Sequence, residues 1–175
     1  MKSKPTTSSA YPFESKFAEI KGHKIHYIEE GSGKPILFIH GNPTSSYVYR
    51  NVLPEVARVS KRRSIAIDLL GFGKSDKPNI THTIQLHAEI IEEFVKELKL
   101  KNIILVAEDW GGPLGMSEAI KHPKLFDAAI LMETFLWPMT WKEDFDPKFI
   151  LPFKLMRSPL GFVFTRVFNL MINKI

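Results

Sequence analysis

Four short apolar runs, separated by stretches of helical periodicity, constrain the fold of this chain most strongly. The runs cover residues 35–39, 64–67, 103–107 and 128–132. Continuous apolar runs of this length are typical of strands that are buried on both faces of a parallel sheet. Two short alternating segments on either side of Gly22 precede them and indicate a hairpin. The order predicts an α/β fold with a mostly parallel sheet, right-handed crossovers and an N-terminal antiparallel hairpin.

The segments between the runs have the 3.6-residue periodicity of amphipathic helices. We expect helices over residues 47–59, from Thr81 or Thr83 to Leu98, and over residues 112–121. In a sheet of this kind, reactive groups lie just beyond the carboxyl ends of the strands. Three segments occupy such positions, at residues 40–43, at residues 108–112 and from Glu133 onward.

Composition excludes several classes of protein. The 175 residues suit one core, and 11% aromatic residues argue against disorder. With no cysteine, a disulfide scaffold, a thiol nucleophile and a cysteine zinc site are excluded. The net charge of +5 is not concentrated in the main body, so a nucleic-acid partner is not expected.

No segment of the sequence has the pattern of a membrane span or a signal peptide. The most apolar region, residues 149–172, is interrupted by Lys154, Arg157, Pro159 and Arg166. We expect a cytoplasmic protein with no membrane partner. We also expect a flexible tail over residues 1–12, an incomplete α/β core over 13–133, and the beginning of a helical cap over 134–175.

The run Ala107-Glu-Asp-Trp-Gly111 has small residues at both ends and joins a predicted strand to a predicted helix. This is the context of a nucleophile elbow, in which a tight turn lifts one side chain above the sheet. Its central residue is Asp109, and a carboxylate is a nucleophile at pH 7 without help from a base. Asp109 as a simple helix cap is the alternative interpretation.

The segment His40-Gly-Asn-Pro43 follows the predicted strand 35–39, where an oxyanion hole would form. Gly41 permits a turn that directs an amide N–H near Asn42 toward the site, beside that of Trp110. The Asn42 side chain and the Trp110 indole also offer N–H donors that would accommodate an anion leaving from carbon. Asn42 as a plain turn residue and Trp110 as a core or interface residue are the competing interpretations.

Together these motifs resemble the haloalkane dehalogenase family of the α/β-hydrolase superfamily. The resemblance rests on Asp68 with Gly71-x-Gly73-x-Ser75, on His40-Gly-Asn-Pro43-Thr-Ser-Ser and on Asp109-Trp-Gly, and it runs from about Phe13 to the end of the chain. It implies the α/β-hydrolase fold and hydrolysis of haloalkanes through an ester on Asp109, with water as co-substrate. It also implies halide binding by Asn42 and Trp110, a structural loop at residues 71–75, and no metal or organic cofactor.

The resemblance also implies a base, normally a histidine held by a carboxylate, that activates water against the ester. Glu133 stands where one branch of the family keeps that carboxylate; a polar strand end is its alternative role. The six histidines are His23, His26, His40, His82, His87 and His122, and we identify none as the base. Compared with the family, two final strands and the histidine that follows them are missing, so we expect an open sheet edge and self-association.

Glu108 is a second departure, because the family usually has histidine before the nucleophile. A second carboxylate close to Asp109 would raise the pKa of one of the two carboxyl groups and weaken the nucleophilic attack of Asp109, unless the Glu108 side chain points away from the pocket. An epoxide hydrolase shares the elbow but needs acidic donors, usually tyrosines, from its cap, and residues 134–175 contain no tyrosine. The sequence is also compatible with a coelenterazine-oxidising luciferase of the same architecture and with a non-catalytic fragment.

Overall fold

The computed structural model describes residues 10–137, 140, 143–144, 146–156, 158–161 and 163. Contacts divide the chain into two units, residues 1–136 and 137–175. Within residues 10–136 the structure contains six strands and three α-helices. They are β1 (Lys16–Ile20), β2 (His23–Glu30), β3 (Pro35–Ile39), α1 (Leu53–Ser60), β4 (Arg63–Ile67), α2 (Ile84–Glu97), β5 (Ile103–Asp109), α3 (Gly111–Lys121) and β6 (Phe126–Thr134).

The six strands form one sheet in the order β1-β2-β4-β3-β5-β6. The strands β1, β2 and β4 pair antiparallel, whereas β4, β3, β5 and β6 pair parallel. At the centre of the sheet, Leu37 lies opposite both Ile65 and Leu105. The predicted α/β fold, mostly parallel with an N-terminal antiparallel hairpin, is therefore confirmed.

Each face of the sheet carries its own apolar cluster. Leu37, Ile39 and Leu105 point to the face that packs against α2 and α3. Ile36 and Phe38, which alternate with them along β3, point to the face that packs against α1. The central strands are buried on both sides, as their unbroken apolar sequences predict.

Two helix beginnings show how local sequence sets the boundaries. The predicted helix over residues 47–59 is instead a 3-10 turn at Ser46–Tyr49 followed by α1, which starts at Leu53. Pro54 has no N–H to donate and therefore favours the first turn of a helix over its interior. Of the two threonines that were predicted as caps, Thr83 caps α2, because its hydroxyl accepts a hydrogen bond from the Leu86 N–H (3.1 Å).

The boundaries of the predicted segments differ in detail from the structure. Tyr11, placed in the tail by the sequence, shares a 2.6 Å hydrogen bond with Ser46 and contacts Phe13 edge to face. Residues 1–9 of the predicted tail lie outside the described residues. In the second unit α4 spans Pro147–Met156, whereas most of residues 157–175 of the predicted cap lie outside the described residues. Among the residues that are described, no helix is long and apolar enough to cross a bilayer.

Candidate active site

Asp109 ends β5 in a left-handed backbone conformation, with a φ of 47°. Residues other than glycine rarely adopt this conformation, which costs on the order of 1 kcal/mol or more. The helix α3 begins two residues later at Gly111. The strand therefore turns sharply into the helix at Asp109, which is the geometry that the small residues around it predict.

Two glycines permit the close approach of backbone segments at this turn. A Cβ atom on Gly41 would overlap the side chain of Asp109, and one on Gly111 would overlap the carbonyl oxygen of Ile39. Because only His40 separates Gly41 from β3, the end of β3 packs against the end of β5 without an intervening side chain. The glycines thus fix the distance between the two segments that contribute the candidate site.

Two hydrogen bonds hold Asp109 in place. The backbone N–H of Asn42 donates to Asp109 Oδ1 over 2.8 Å. The hydroxyl of Thr134, at the end of β6, donates to the backbone carbonyl of Asp109 over 2.6 Å. The predicted proximity of an Asn42 amide to the Asp109 carboxylate is therefore present in the structure.

Asn42 and Trp110 also line one cavity of about 250 Å³, with Gly41, Leu69, Phe72 and Leu114 among its other walls. Trp110 is 37% exposed, and its ring meets Phe135 edge to face at 4.9 Å. The two predicted halide donors thus share a largely apolar recess that adjoins the elbow. Apolar walls lower the local dielectric constant, which strengthens hydrogen bonds between N–H donors and an anion.

His82 and His87, which sequence reasoning placed on or beside an outer helix, line the same cavity. Their rings stack at 5.5 Å, and burial, followed by the nearby His82, lowers the pKa of His87. Periodicity did assign His87 to α2, but the path of the loop that brings His82 to the cavity has no periodic signal. In the structure the His82 ring lies so close to Gly71, whose φ is 87°, that a Cβ atom at this position would overlap it.

Glu108 and Glu133 lie on a different surface from the cavity. Both line a groove of about 520 Å³ together with apolar side chains of β3, β5, β6 and the segment that precedes α1. Glu108 accepts long hydrogen bonds of 3.3 Å from the Gly41 N–H and the Thr44 hydroxyl. Glu108 therefore points away from the cavity that Asn42 and Trp110 line, as successive residues of a strand do.

Glu133 lies within β6 rather than after it, because the strand continues to Thr134. The pairing of β5 with β6 shifts here: Glu108 is opposite Met132, while Asp109 is opposite Thr134. Glu133 is the extra residue of this bulge and has a φ of 43°. Its exposed side chain is not among the residues that line the cavity beside Asn42 and Trp110.

His40 is part of the frame of the site. Its Nδ1 donates to the Gly41 carbonyl (2.7 Å) and its Nε2 accepts from the Leu69 N–H (3.0 Å), which requires the neutral ring. Burial lowers the pKa of His40 accordingly. Both ring nitrogens are occupied, so this histidine has no lone pair available for proton transfer.

Asp68, which begins the predicted structural loop, is also enclosed. Burial alone would raise the pKa of Asp68. Its carboxylate accepts hydrogen bonds from His26 Nδ1 (2.8 Å) and from the backbone N–H groups of Lys74 (2.8 Å) and Ser46 (2.7 Å). These hydrogen bonds outweigh the effect of burial and bring the pKa to about 2. A Cβ atom on Gly73 would overlap the carboxylate. This residue ties the turn after β3 to the loop after β4.

Comparison with known proteins gives consistent matches. A family model described as the alpha/beta hydrolase fold matches residues 34–174. Haloalkane dehalogenase 2 of Mycobacterium tuberculosis is 41% identical over 129 residues, which are 73% of this chain and 44% of the relative. A haloalkane dehalogenase of Sphingobium indicum is 40% identical over 158 residues, 87% of this chain and 52% of the relative.

Solved structures give the same picture. The crystal structure of the haloalkane dehalogenase DatA from Agrobacterium tumefaciens superposes with a TM-score of 0.82 at 31% identity, covering 92% of this chain and 55% of that one. A putative ancestral haloalkane dehalogenase superposes with a TM-score of 0.80 at 32% identity, covering 91% and 56%. The chain spans about half the length of the curated relatives that it matches.

Proposed function

Because this chain belongs to the α/β-hydrolase fold family, we propose that it carries the nucleophile and the halide-binding residues of a hydrolase that converts haloalkanes and water into alcohols and halide. One observation carries the proposal. Asp109 stands in a left-handed conformation at the end of β5, and its Oδ1 accepts the Asn42 N–H at 2.8 Å. The likeness of the chain to curated haloalkane dehalogenases at 40–41% identity supports the choice of substrate class.

The first step is a displacement at a saturated carbon. An oxygen of the Asp109 carboxylate donates an electron pair to the carbon that bears the halogen, and the carbon–halogen bond breaks with its electrons going to the halide. The side-chain N–H groups of Asn42 and Trp110 donate to the departing halide in the apolar recess. The product is an alkyl ester of Asp109 and a bound halide ion.

The second step is hydrolysis of that ester. Water adds to the ester carbonyl, whose oxygen takes up negative charge next to the backbone N–H groups of Asn42 and Trp110. Collapse releases the alcohol and restores the Asp109 carboxylate, while a base removes one proton from the water. Glu133 is proposed as the carboxylate that orients this base, since it lies at the same edge of the sheet, on the strand next to β5.

None of the six histidines of this chain is proposed as that base. His40 uses both ring nitrogens, and His26 is bound to Asp68. His82 and His87 line the cavity beside Asn42 and Trp110, while His122 follows α3 and His23 begins β2. We therefore expect the 175-residue chain to accumulate the alkyl ester without completing the cycle.

The test is intact-protein and peptide mass spectrometry after incubation of the folded chain with 1-bromobutane. We expect one butyl group, mapped to the peptide that contains Asp109. Asp109→Asn removes the nucleophile and must abolish the adduct, whereas the exposed Asp76→Asn is a matched control that must retain it. An adduct at another residue, or no adduct in protein with native circular dichroism, refutes the assignment.

We further propose that the chain self-associates through β6. Its side chains Ile130 and Met132 are 53% and 42% exposed, and it is the last strand of the sheet within the described residues. Sedimentation velocity should show concentration-dependent dimers that Ile130→Lys weakens. The matched control Ile120→Lys changes an exposed isoleucine on α3 and should leave the dimer intact; equal behaviour of the two variants would contradict this interface.

A further inference from the structure

A second group of titratable side chains lies between α2 and α3, outside the proposed catalytic residues. Glu92 belongs to α2, Glu118 belongs to α3, and His122 directly follows α3. One ligand atom from each residue lies within 4.8 Å of the other two. The backbone N–H of His122 donates to the Glu118 carbonyl over 2.9 Å, which fixes the imidazole beside the last turn of α3.

Glu118 is the least expected member of this group. It is only 4% exposed, and among the described residues its carboxylate forms an ion pair with His122 alone. Its Oε1 atom lies 3.8 Å from His122 Nε2, which is too long for a hydrogen bond. A carboxylate that is enclosed to this extent is unfavourable unless a cation or a proton compensates its charge.

The imidazole of His122 lies next to these carboxylates. Its Nε2 atom is buried and has no hydrogen-bond partner in the described structure. The nitrogen lies 3.4 Å from Glu92 Oε1 and 3.8 Å from Glu118 Oε1. One unpartnered nitrogen thus faces two carboxylate oxygens across a gap that is wider than a hydrogen bond.

We propose that Glu92, Glu118 and His122 form a binding site for a divalent zinc ion that links α2 to α3. Zinc takes imidazole nitrogen and carboxylate oxygen at about 2.0–2.2 Å in a tetrahedral arrangement, so two of its ligand atoms lie roughly 3.4 Å apart. The observed separations need small side-chain movements to reach this geometry. The imidazole ligand selects zinc over magnesium and calcium, which prefer oxygen ligands alone.

The surrounding lysines determine how strongly the ion is held. Lys96 Nζ contacts Glu92 Oε1 at 2.7 Å, and Lys121 also pairs with Glu92. Both lysine side chains are more than half exposed, at 51% and 58%, so they can turn into solvent when the ion binds. Their displacement weakens binding compared with a site of free ligands, and the fourth coordination position is left to water.

The site is tested by isothermal titration of ZnCl₂ into the tag-free chain at pH 7. We expect one zinc ion per chain, with magnesium unable to compete. His122→Ala and Glu118→Gln each remove a ligand and should weaken zinc binding by roughly tenfold or more, since even the loss of an outer partner of a metal ligand costs about that much. His23→Ala is the matched control, because it removes a histidine from the distant start of β2 and should leave the affinity unchanged.

Glu118→Gln keeps the size of the side chain, so it tests the site even if His122→Ala unfolds. Far-ultraviolet circular dichroism distinguishes a folded variant that has lost a ligand from a variant that has unfolded. X-ray absorption at the zinc edge should show one imidazole together with oxygen ligands. Absence of saturable binding to the wild-type chain overturns the proposal, as does equal affinity in Glu118→Gln and His23→Ala. The result is independent of the alkylation experiment, because none of the three ligands belongs to the proposed nucleophile or halide donors.

Discussion

The strands β3 and β6 both flank β5 and have similar apolar sequences, yet their surroundings differ. All five residues of β3 are buried. In β6 no residue is classed as buried, and Ile130 is 53% exposed. An apolar run therefore identifies a strand of the sheet without telling whether both of its faces are covered.

The difference follows from what lies beside each strand. The strand β3 pairs with β4 on one side and with β5 on the other, and side chains of both faces join apolar clusters. Among the described residues β6 pairs with β5 alone, and α3 covers one of its faces. The groove that contains Glu108 and Glu133 lies along the uncovered face.

Both strands nevertheless contribute to the turn at Asp109. Gly41, after β3, provides space for the Asp109 side chain, and Thr134, at the end of β6, donates to the Asp109 carbonyl. The geometry of the candidate nucleophile thus depends on one well-buried strand and one exposed strand. Substitutions in the two strands separate these contributions.

The largest expected effect is on stability within β3. Phe38→Ala removes a ring that is 1% exposed and should lower the free energy of unfolding by about 3–5 kcal/mol. Ile130→Ala in β6 removes a half-exposed side chain and should cost less than about 1 kcal/mol. Urea denaturation measures both. If the two variants lost similar amounts of stability, β6 would be buried to the same extent as β3, and the two strands would not differ.

The next effect is on alkylation of Asp109. In Gly41→Ala the new methyl group would overlap the Asp109 side chain, so the carboxylate must move. Displacement of a reacting group by about 1 Å lowers a rate by on the order of 100-fold. We expect the rate of ester formation with 1-bromobutane, followed by mass spectrometry, to fall by about that factor.

Gly22→Ala is the control for Gly41→Ala. The space around Gly22 is open within 4 Å, and its φ of 77° adds only a local backbone cost in the β1–β2 turn. This variant should lose some stability and keep the alkylation rate. If both variants alkylate equally fast, Gly41 does not set the position of the nucleophile.

The sequence predicted the strands and a sharp turn at Asp109, and it offered Thr81 or Thr83 as the cap of α2, because each of these depends on local signals. Apolar runs mark buried strands, Thr83 precedes a helical pattern, and small residues surround Asp109. It also predicted that Asn42 and Asp109 lie close together, because the carboxyl ends of adjacent parallel strands meet at one edge. The close contact of Gly41 with the Asp109 side chain is the structural reason for glycine at this position.

The remaining features depend on register and loop path, which have no local signal. The bulge at Glu133 changes the face to which this residue points, and only the pairing of β5 with β6 reveals it. The position of His82 follows from how the loop after β4 returns to α2. The group formed by Glu92, Glu118 and His122 likewise requires the packing of two helices.

Acid unfolding tests the well-buried part of the sheet through Asp68, which directly follows β4. Its pKa of about 2 is below the ordinary value of 3.8, so its contribution to stability is complete above about pH 4 and is lost as the pH falls toward 2. The shift corresponds to about 2 kcal/mol. Asp68→Asn should cost about that much at pH 7, and its stability should then depend less on pH between 4 and 2 than that of the wild type. Urea titrations from pH 5 to 2.5 measure this; parallel curves for the two proteins would exclude Asp68 as the responsible group.

The smallest expected effect concerns the contribution of β6 to the elbow. Thr134→Val keeps the shape of the side chain and removes the hydroxyl that donates to the Asp109 carbonyl over 2.6 Å. A neutral hydrogen bond of this kind contributes about 1 kcal/mol, so we expect a loss of that size in the free energy of unfolding. Thr81→Val, at an exposed position, is the matched control and should have little effect. Because Thr134 is half-buried, water can replace part of the lost hydrogen bond. If Thr134→Val lowered the free energy of unfolding as little as Thr81→Val does, β3 alone would support the turn at Asp109.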